Sequence, residues 1–148
     1  MRISAKGRYA LAAVILLAHK YNSGEYITVI SISEKLGISK IYLEQVFSLL
    51  KRGKIVTSVK GSQGGYRLSQ APAKMTVLDV LSAVEMPLFE KSEETVKEKA
   101  PHIEAAMRST VFDILDSSVK NSMAKITVEN LVVEALKNKD DNTLMFYI

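Results

Sequence analysis

The 148-residue chain has no cysteine and no tryptophan, and only 2 histidines and 3 prolines. Without cysteine there is no disulfide, no thiolate redox sensor and no cysteine-ligated zinc or iron–sulfur centre. His19 and His102 fall in different expected helices, which leaves a dedicated metal site without a donor set. A membrane span is missing too. The apolar run over residues 9–18 is well short of the roughly 20 residues a span requires. Arg2, Lys6 and Arg8 flank it, and no small-residue cleavage site follows. The run is expected to form a buried helix in a cytoplasmic protein. Catalytic patterns are equally scarce. Carboxylates lie in solvated runs such as Glu93-Glu94, with no Ser/His/Asp or His/Glu spacing, so neither an enzyme nor a cofactor is expected.

What the chain does have is apolar content and an uneven charge. Hydrophobic residues make up 47% of the sequence, enough for a core, and the length suits one domain or a small domain with an assembly element. The net charge is +4, but residues 1–75 carry 12 Lys/Arg against 3 Asp/Glu, and residues 76–148 carry 8 against 13. A basic first half and an acidic second half suit a phosphate-binding module followed by a segment that avoids phosphate.

Capping residues divide the first half into elements. Ser4 precedes a helix over residues 5–22, Thr28 caps a short helix to Leu36, and Gly37 turns the chain into a helix capped by Ser39. On that third helix Leu43, Val46, Phe47 and Leu50 form an inward stripe, and Gly53 ends it. A hairpin over residues 55–60 and 66–69 follows, joined by Gly61-Ser62-Gln63-Gly64-Gly65. Thr76 with Asp79 resembles a capping box for a helix over 77–85, ended by Pro87. The expected fold is mainly α with a small β-hairpin. It is a winged helix-turn-helix over residues 1–87, a charged linker over 88–100, and a dimerisation helix with a tail over 101–148.

A capped helix running into a basic, glycine-rich ribbon suits a reader of double-stranded DNA. The candidate reading face comprises Ser39, Lys40, Ile41, Tyr42, Glu44, Gln45 and Ser48. Gln pairs bidentately with adenine, and Glu accepts from the cytosine amino group. In the wing, Lys60, Gly61, Gly64, Gly65, Tyr66 and Arg67 are the candidates, the glycines letting backbone N–H groups approach phosphate. No Gly-Lys-Ser/Thr ending is present, so a nucleotide-binding P-loop is not supported. Arg2, Ser4, Lys6, Arg8 and Tyr9 at the start of the first helix complete the phosphate-contacting set.

From Pro101 a long helix carries Ile103, Met107, Val111, Ile114, Leu115, Val119 and Met123. Two readings remain open for this stripe, packing back on the first helix or pairing with its twin in a homodimer. Met107, Val111, Ile114, Leu115 and Val119 are the candidate interface, since a reader of a palindromic operator needs two copies. Thr127 is expected to cap a short helix to about residue 136, and a polar break over 138–142 to precede the apolar residues 144–148.

MRISAKGRYAL, YLEQVFSLLKRG, SVKGSQGGYRLS and TVLDVLSAVE together resemble the winged-helix repressors that include IscR, NsrR and CymR. The resemblance covers residues 1–87 strongly and 101–136 more loosely. It implies a homodimer whose long C-terminal helix crosses to the partner, with Glu44 and Gln45 reading bases and Lys60 at the wing tip in the minor groove. Lys60 stands where the family usually has Arg, and Glu85-Met86-Pro87 where it has Glu-Gly-Pro; residues 121–125 look like an insertion. The three cysteines of the cluster-binding branch are missing. The chain is most similar to the cysteine-free, CymR-like branch that represses cysteine-metabolism genes and is read through cysteine synthase. Tyr147 and Ile148 are the candidate contacts to that enzyme, whose active site binds tails ending in isoleucine. The alternative for 144–147 is an edge strand or pad on their own subunit. A regulator answering another signal, or an adaptor that has lost DNA binding, are the rival functions.

Overall fold

The computed structural model describes residues 2–147, with side chains through residue 142. Helix α1 (Ala5–His19) starts where the Ser4 hydroxyl accepts from the Gly7 amide. It stops three residues earlier than the sequence suggests. A 3-10 turn, Tyr21–Ser23, follows, and Gly24 takes the left-handed conformation that closes it. Thr28 caps α2 (Val29–Leu36), Gly37 turns with φ 66°, and Ser39 caps α3 (Lys40–Arg52). The wing is the antiparallel pair β1 (Val56–Val59) and β2 (Gly65–Leu68), in register from Val56 opposite Leu68 to Val59 opposite Gly65. The expected capping box holds: Thr76 and Asp79 exchange both hydrogen bonds at the start of α4 (Val77–Val84).

From Pro101 the helix is continuous but not uniform. Helix α5 (Pro101–Met107) passes through a π-helical turn, Arg108–Phe112, into α6 (Asp113–Ala124). Helix α7 (Val128–Tyr147) corrects two expectations. The polar stretch 138–142 is not a break, and 144–147 is not a strand. This stretch holds neither Gly nor Pro. Its Asn and Asp residues cost only about 0.7 kcal/mol each in a helix, too little to stop propagation. Ile148 lies outside the described residues, as do the side chains of 143–147.

One core joins α1 to α4 with the end of α6 and the start of α7. Ala10, Val14 and Leu17 of α1 meet Ile32 of α2, Leu43, Phe47 and Leu50 of α3, and Val80 and Leu81 of α4. Met123 and Val128, from beyond the charged segment, belong to the same cluster. The Val77 amide donates to the Ile126 carbonyl and the Val128 amide to that of Met75, which ties the start of α7 beside α4.

Candidate nucleic-acid interface

Helix α3 sorts its residues by face. Leu43, Val46, Phe47 and Leu50 are fully buried, whereas Lys40, Ile41, Glu44, Gln45 and Ser48 are exposed. Two aromatic contacts fix the helix in position. Tyr42 meets Tyr9 of α1 edge-on at 5.0 Å, and Phe47 stacks on Tyr66 of the wing at 4.4 Å. The Ser39 hydroxyl accepts from the Tyr42 amide, and Lys40 Nζ lies 3.8 Å from Glu44 Oε1 on the solvent side.

The wing is held against α2 by its backbone. Ile27 and Tyr66 exchange two hydrogen bonds of 2.8 Å each, so the residue before the Thr28 cap acts as a third strand position. Gly65 permits this, since a Cβ there would collide with the Ile27 carbonyl. Gly64 is buried at the tip turn with its amide donated to the Gly61 carbonyl, and a Cβ on it would strike the Val59 carbonyl. Of the three wing glycines, only Gly61 stands in open space, with φ 109°. Lys60 beside it is exposed.

Between α3 and the wing runs a groove of about 420 Å³. Lys40, Glu44 and Lys51 line one wall and Ser58, Val59, Lys60 and Gly61 the other, with Thr28 and Ile30 of the α2 start at one end. Three lysines therefore face one channel. Ser58 and the α2 N-terminus were not among the candidates read from the sequence, whereas Lys51 follows from the same outward face of α3 as Lys40 and Glu44. The alternation of β1 about buried Val56 was the signal that could have placed Ser58.

The sequence-derived candidates thus divide. Arg2, Lys6, Arg8, Lys40, Ile41, Glu44, Gln45, Ser48, Lys60 and Gly61 keep at least part of their surface open. Ser4, Tyr9, Ser39, Tyr42, Gly64, Gly65, Tyr66 and Arg67 also help to hold the scaffold, while Ser4, Ser39 and Arg67 remain exposed and Gly64, Gly65 and Tyr66 line the groove. Arg67 lies over the Tyr26 ring at 4.7 Å and donates to the Gly24 carbonyl. Ser4 joins distant parts of the chain: its amide and hydroxyl donate to the carboxylate of Glu85, at 3.2 and 2.6 Å. Glu85 is buried at the end of α4, so the basic start of α1 is anchored where α4 ends.

The proposed dimer stripe also divides. Val119 and Met123 pack into their own core, Met107 is half-buried, and Val111, Ile114 and Leu115 are exposed. Nearby, buried Glu104 accepts from the Thr95 and Val96 amides, and Arg108 both approaches it at 3.8 Å and donates to the Ser92 carbonyl. The Val96 amide foremost, then that of Thr95 and the charges of Arg108 and Lys97, holds the Glu104 carboxyl below the usual range against the opposing effect of burial.

Residues 3–134 match the Rrf2 family, described as iron-dependent transcriptional regulators. The HTH-type transcriptional regulator CymR of Bacillus subtilis is 31% identical over the full length of both chains. IscR of Cronobacter sakazakii is 44% identical over 57% of this chain, which spans about half (52%) of that relative's length. Among solved structures, that of CymR, the global cysteine regulator of B. subtilis, superposes with a TM-score of 0.72 at 30% identity, covering 90% of this chain and 98% of the other. T. potens IscR superposes at 0.70 and 27% identity, covering 91% and 88%. The iron dependence in the family description does not fit the residues present. The chain offers no thiolate, and no group of 3 or more His, Asp or Glu among the described residues is placed to hold a metal. No described helix is long and apolar enough to cross a membrane.

Proposed function

The chain belongs to the Rrf2 family of transcriptional regulators, and on that premise we propose that it is a homodimeric, sequence-specific repressor that reads double-stranded DNA with α3 and its wing. The observation that carries this reading is the exposed strip on α3 beside a groove faced by Lys40, Lys51 and Lys60. Glu44 and Gln45 supply the acceptor and the bidentate amide that distinguish cytosine and adenine in the major groove. Lys60 and Gly61 at the wing tip reach the neighbouring minor groove, and Arg2, Lys6 and Arg8 hold phosphates without reading sequence. A palindromic operator requires the second copy, for which the exposed Val111, Ile114 and Leu115 supply the surface.

The test separates base reading from phosphate contact. Glu44→Ala should relax preference at one base pair of a selected operator, whereas Lys6→Ala should weaken all duplexes alike. Failure of the wild-type protein to enrich any sequence at low salt would favour an adaptor that has lost DNA binding.

The regulated genes are proposed to be those of cysteine metabolism, with cysteine synthase as co-regulator and no small cofactor. The end-to-end match to CymR supports this, as does a chain free of cysteine. Derepression of cysteine-biosynthesis transcripts on deleting the gene, together with a shift in operator affinity on adding purified cysteine synthase, is the expected result. Unchanged transcripts would assign the protein another signal.

A further inference from the structure

Ile41 is 72% exposed, more than any other large hydrophobic side chain described. It lies on the same face as Glu44, Gln45 and Ser48, at the i, i+3, i+4, i+7 positions of α3. Isolated surface hydrophobics are common and need no explanation. This one sits at the leading turn of the reading helix, on a face otherwise composed of charged and polar residues. Every other large apolar side chain of α3 is buried or half-buried, so the helix has no packing need for it there.

An isoleucine can neither donate nor accept a hydrogen bond. The major-groove edge of a base pair offers such a side chain one apolar target, the C5 methyl of thymine. Neighbouring side chains leave Ile41 free for it: Ser39 is occupied by the Tyr42 amide and Lys40 leans toward Glu44. Gln45, one turn further on, suits adenine, whose pairing partner carries that methyl. We propose that Ile41 is a specificity-determining residue that selects thymine in each half-site through its methyl group. The inference rests on the DNA-reading role of α3 proposed above.

Uracil in place of thymine removes the methyl and leaves every hydrogen-bonding group, so it isolates the contact. With the operator obtained by selection from random duplexes on the full-length protein, each thymine is replaced by uracil, symmetrically in both half-sites. One position should lower wild-type affinity by roughly 4-fold per methyl, or about 15-fold for the pair, the value of about 0.8 kcal/mol per buried carbon. Ile41→Ala should bind thymine and uracil operators equally, and Ile41→Val should keep part of the difference. Because Ile41 is exposed, both variants should melt with the wild type. Equal wild-type affinity for thymine and uracil at every position would overturn the inference while leaving DNA reading intact. A thymine preference that survives in Ile41→Ala would overturn it by placing the contact elsewhere. If no sequence is enriched at all, the DNA-reading role fails and the inference falls with it.

Discussion

Replacing Ile114 with aspartate should separate the proposed dimer without disturbing the fold of either subunit. Ile103, Val111, Ile114 and Leu115 remain 49%, 44%, 55% and 58% exposed in the single subunit. Full burial of such a side chain is worth about 1.5–3 kcal/mol, so each half-open residue has about 1 kcal/mol still to gain. In a two-fold interface each contribution counts twice, giving about 8 kcal/mol of gross burial from these residues. Association opposes this with about 4–15 kcal/mol of lost freedom, so a single change on this face is decisive. Ile114→Asp removes two such contributions and forces two carboxylates into an apolar contact. The dimer should weaken by at least about 100-fold, or roughly 2.8 kcal/mol. Sedimentation equilibrium across a concentration series measures it, and far-ultraviolet dichroism should show unchanged helix content. Val119→Ala should do the opposite, lowering subunit stability, because Val119 packs on its own core. An Ile114→Asp, Leu115→Asp double variant that dimerises with unchanged affinity would refute the reasoning and move the interface off this helix.

Thr76→Ala should cost about 1 kcal/mol in urea unfolding by breaking the capping box with Asp79, and adding Asp79→Ala should cost less than the sum of the two alone. Glu104 has a depressed carboxyl pKa in the folded state, so its stabilisation is fully present above the unfolded value of about 4.3 and is lost as pH falls through the folded value. Thermal melts should therefore show Glu104→Gln less stable than wild type at neutral pH, with the gap closing in acid; a constant gap would mean the charge is not involved. Lys60→Arg should tighten binding to operators with a narrow, A-tract minor groove beside the α3 site, since Arg is favoured there, and equal affinities would remove the wing tip from that groove.

The starts of the helices were legible because caps are local. Ser4, Thr28, Ser39, Thr76 and Thr127 each hold an amide 3 residues ahead, a relation visible in any short window. The reading face of α3 followed from periodicity for the same reason. Long-range relations were not legible. Ser4 and Glu85 lie 81 residues apart, and the Ile27–Tyr66 bridge depends on a Gly65 whose steric role appears only once the wing meets α2. Thus the sequence offers Ser4, Gly64 and Gly65 only as candidate phosphate contacts, and the hydrogen bonds and close approaches they also make within the fold appear only once distant segments meet. Val119 shows the same limit. Periodicity puts it on one stripe with Ile114 and Leu115, but its packing on the core of its own subunit follows from the contact of α6 with α4. The end of α7 misled for a different reason, since polarity without Gly or Pro does not break a helix.

The most direct measurement is the equilibrium affinity of the full-length protein for its selected operator and for a scrambled duplex of equal length, each across a salt series. With about 8 phosphates neutralised per dimer, log affinity for both duplexes should fall with log salt at a slope of about −7. At physiological salt the operator should bind at least about 1,000-fold more tightly than the scrambled duplex. Equal affinity for the two, or a slope near zero, would contradict the assignment of α3 and the wing as a sequence-reading surface.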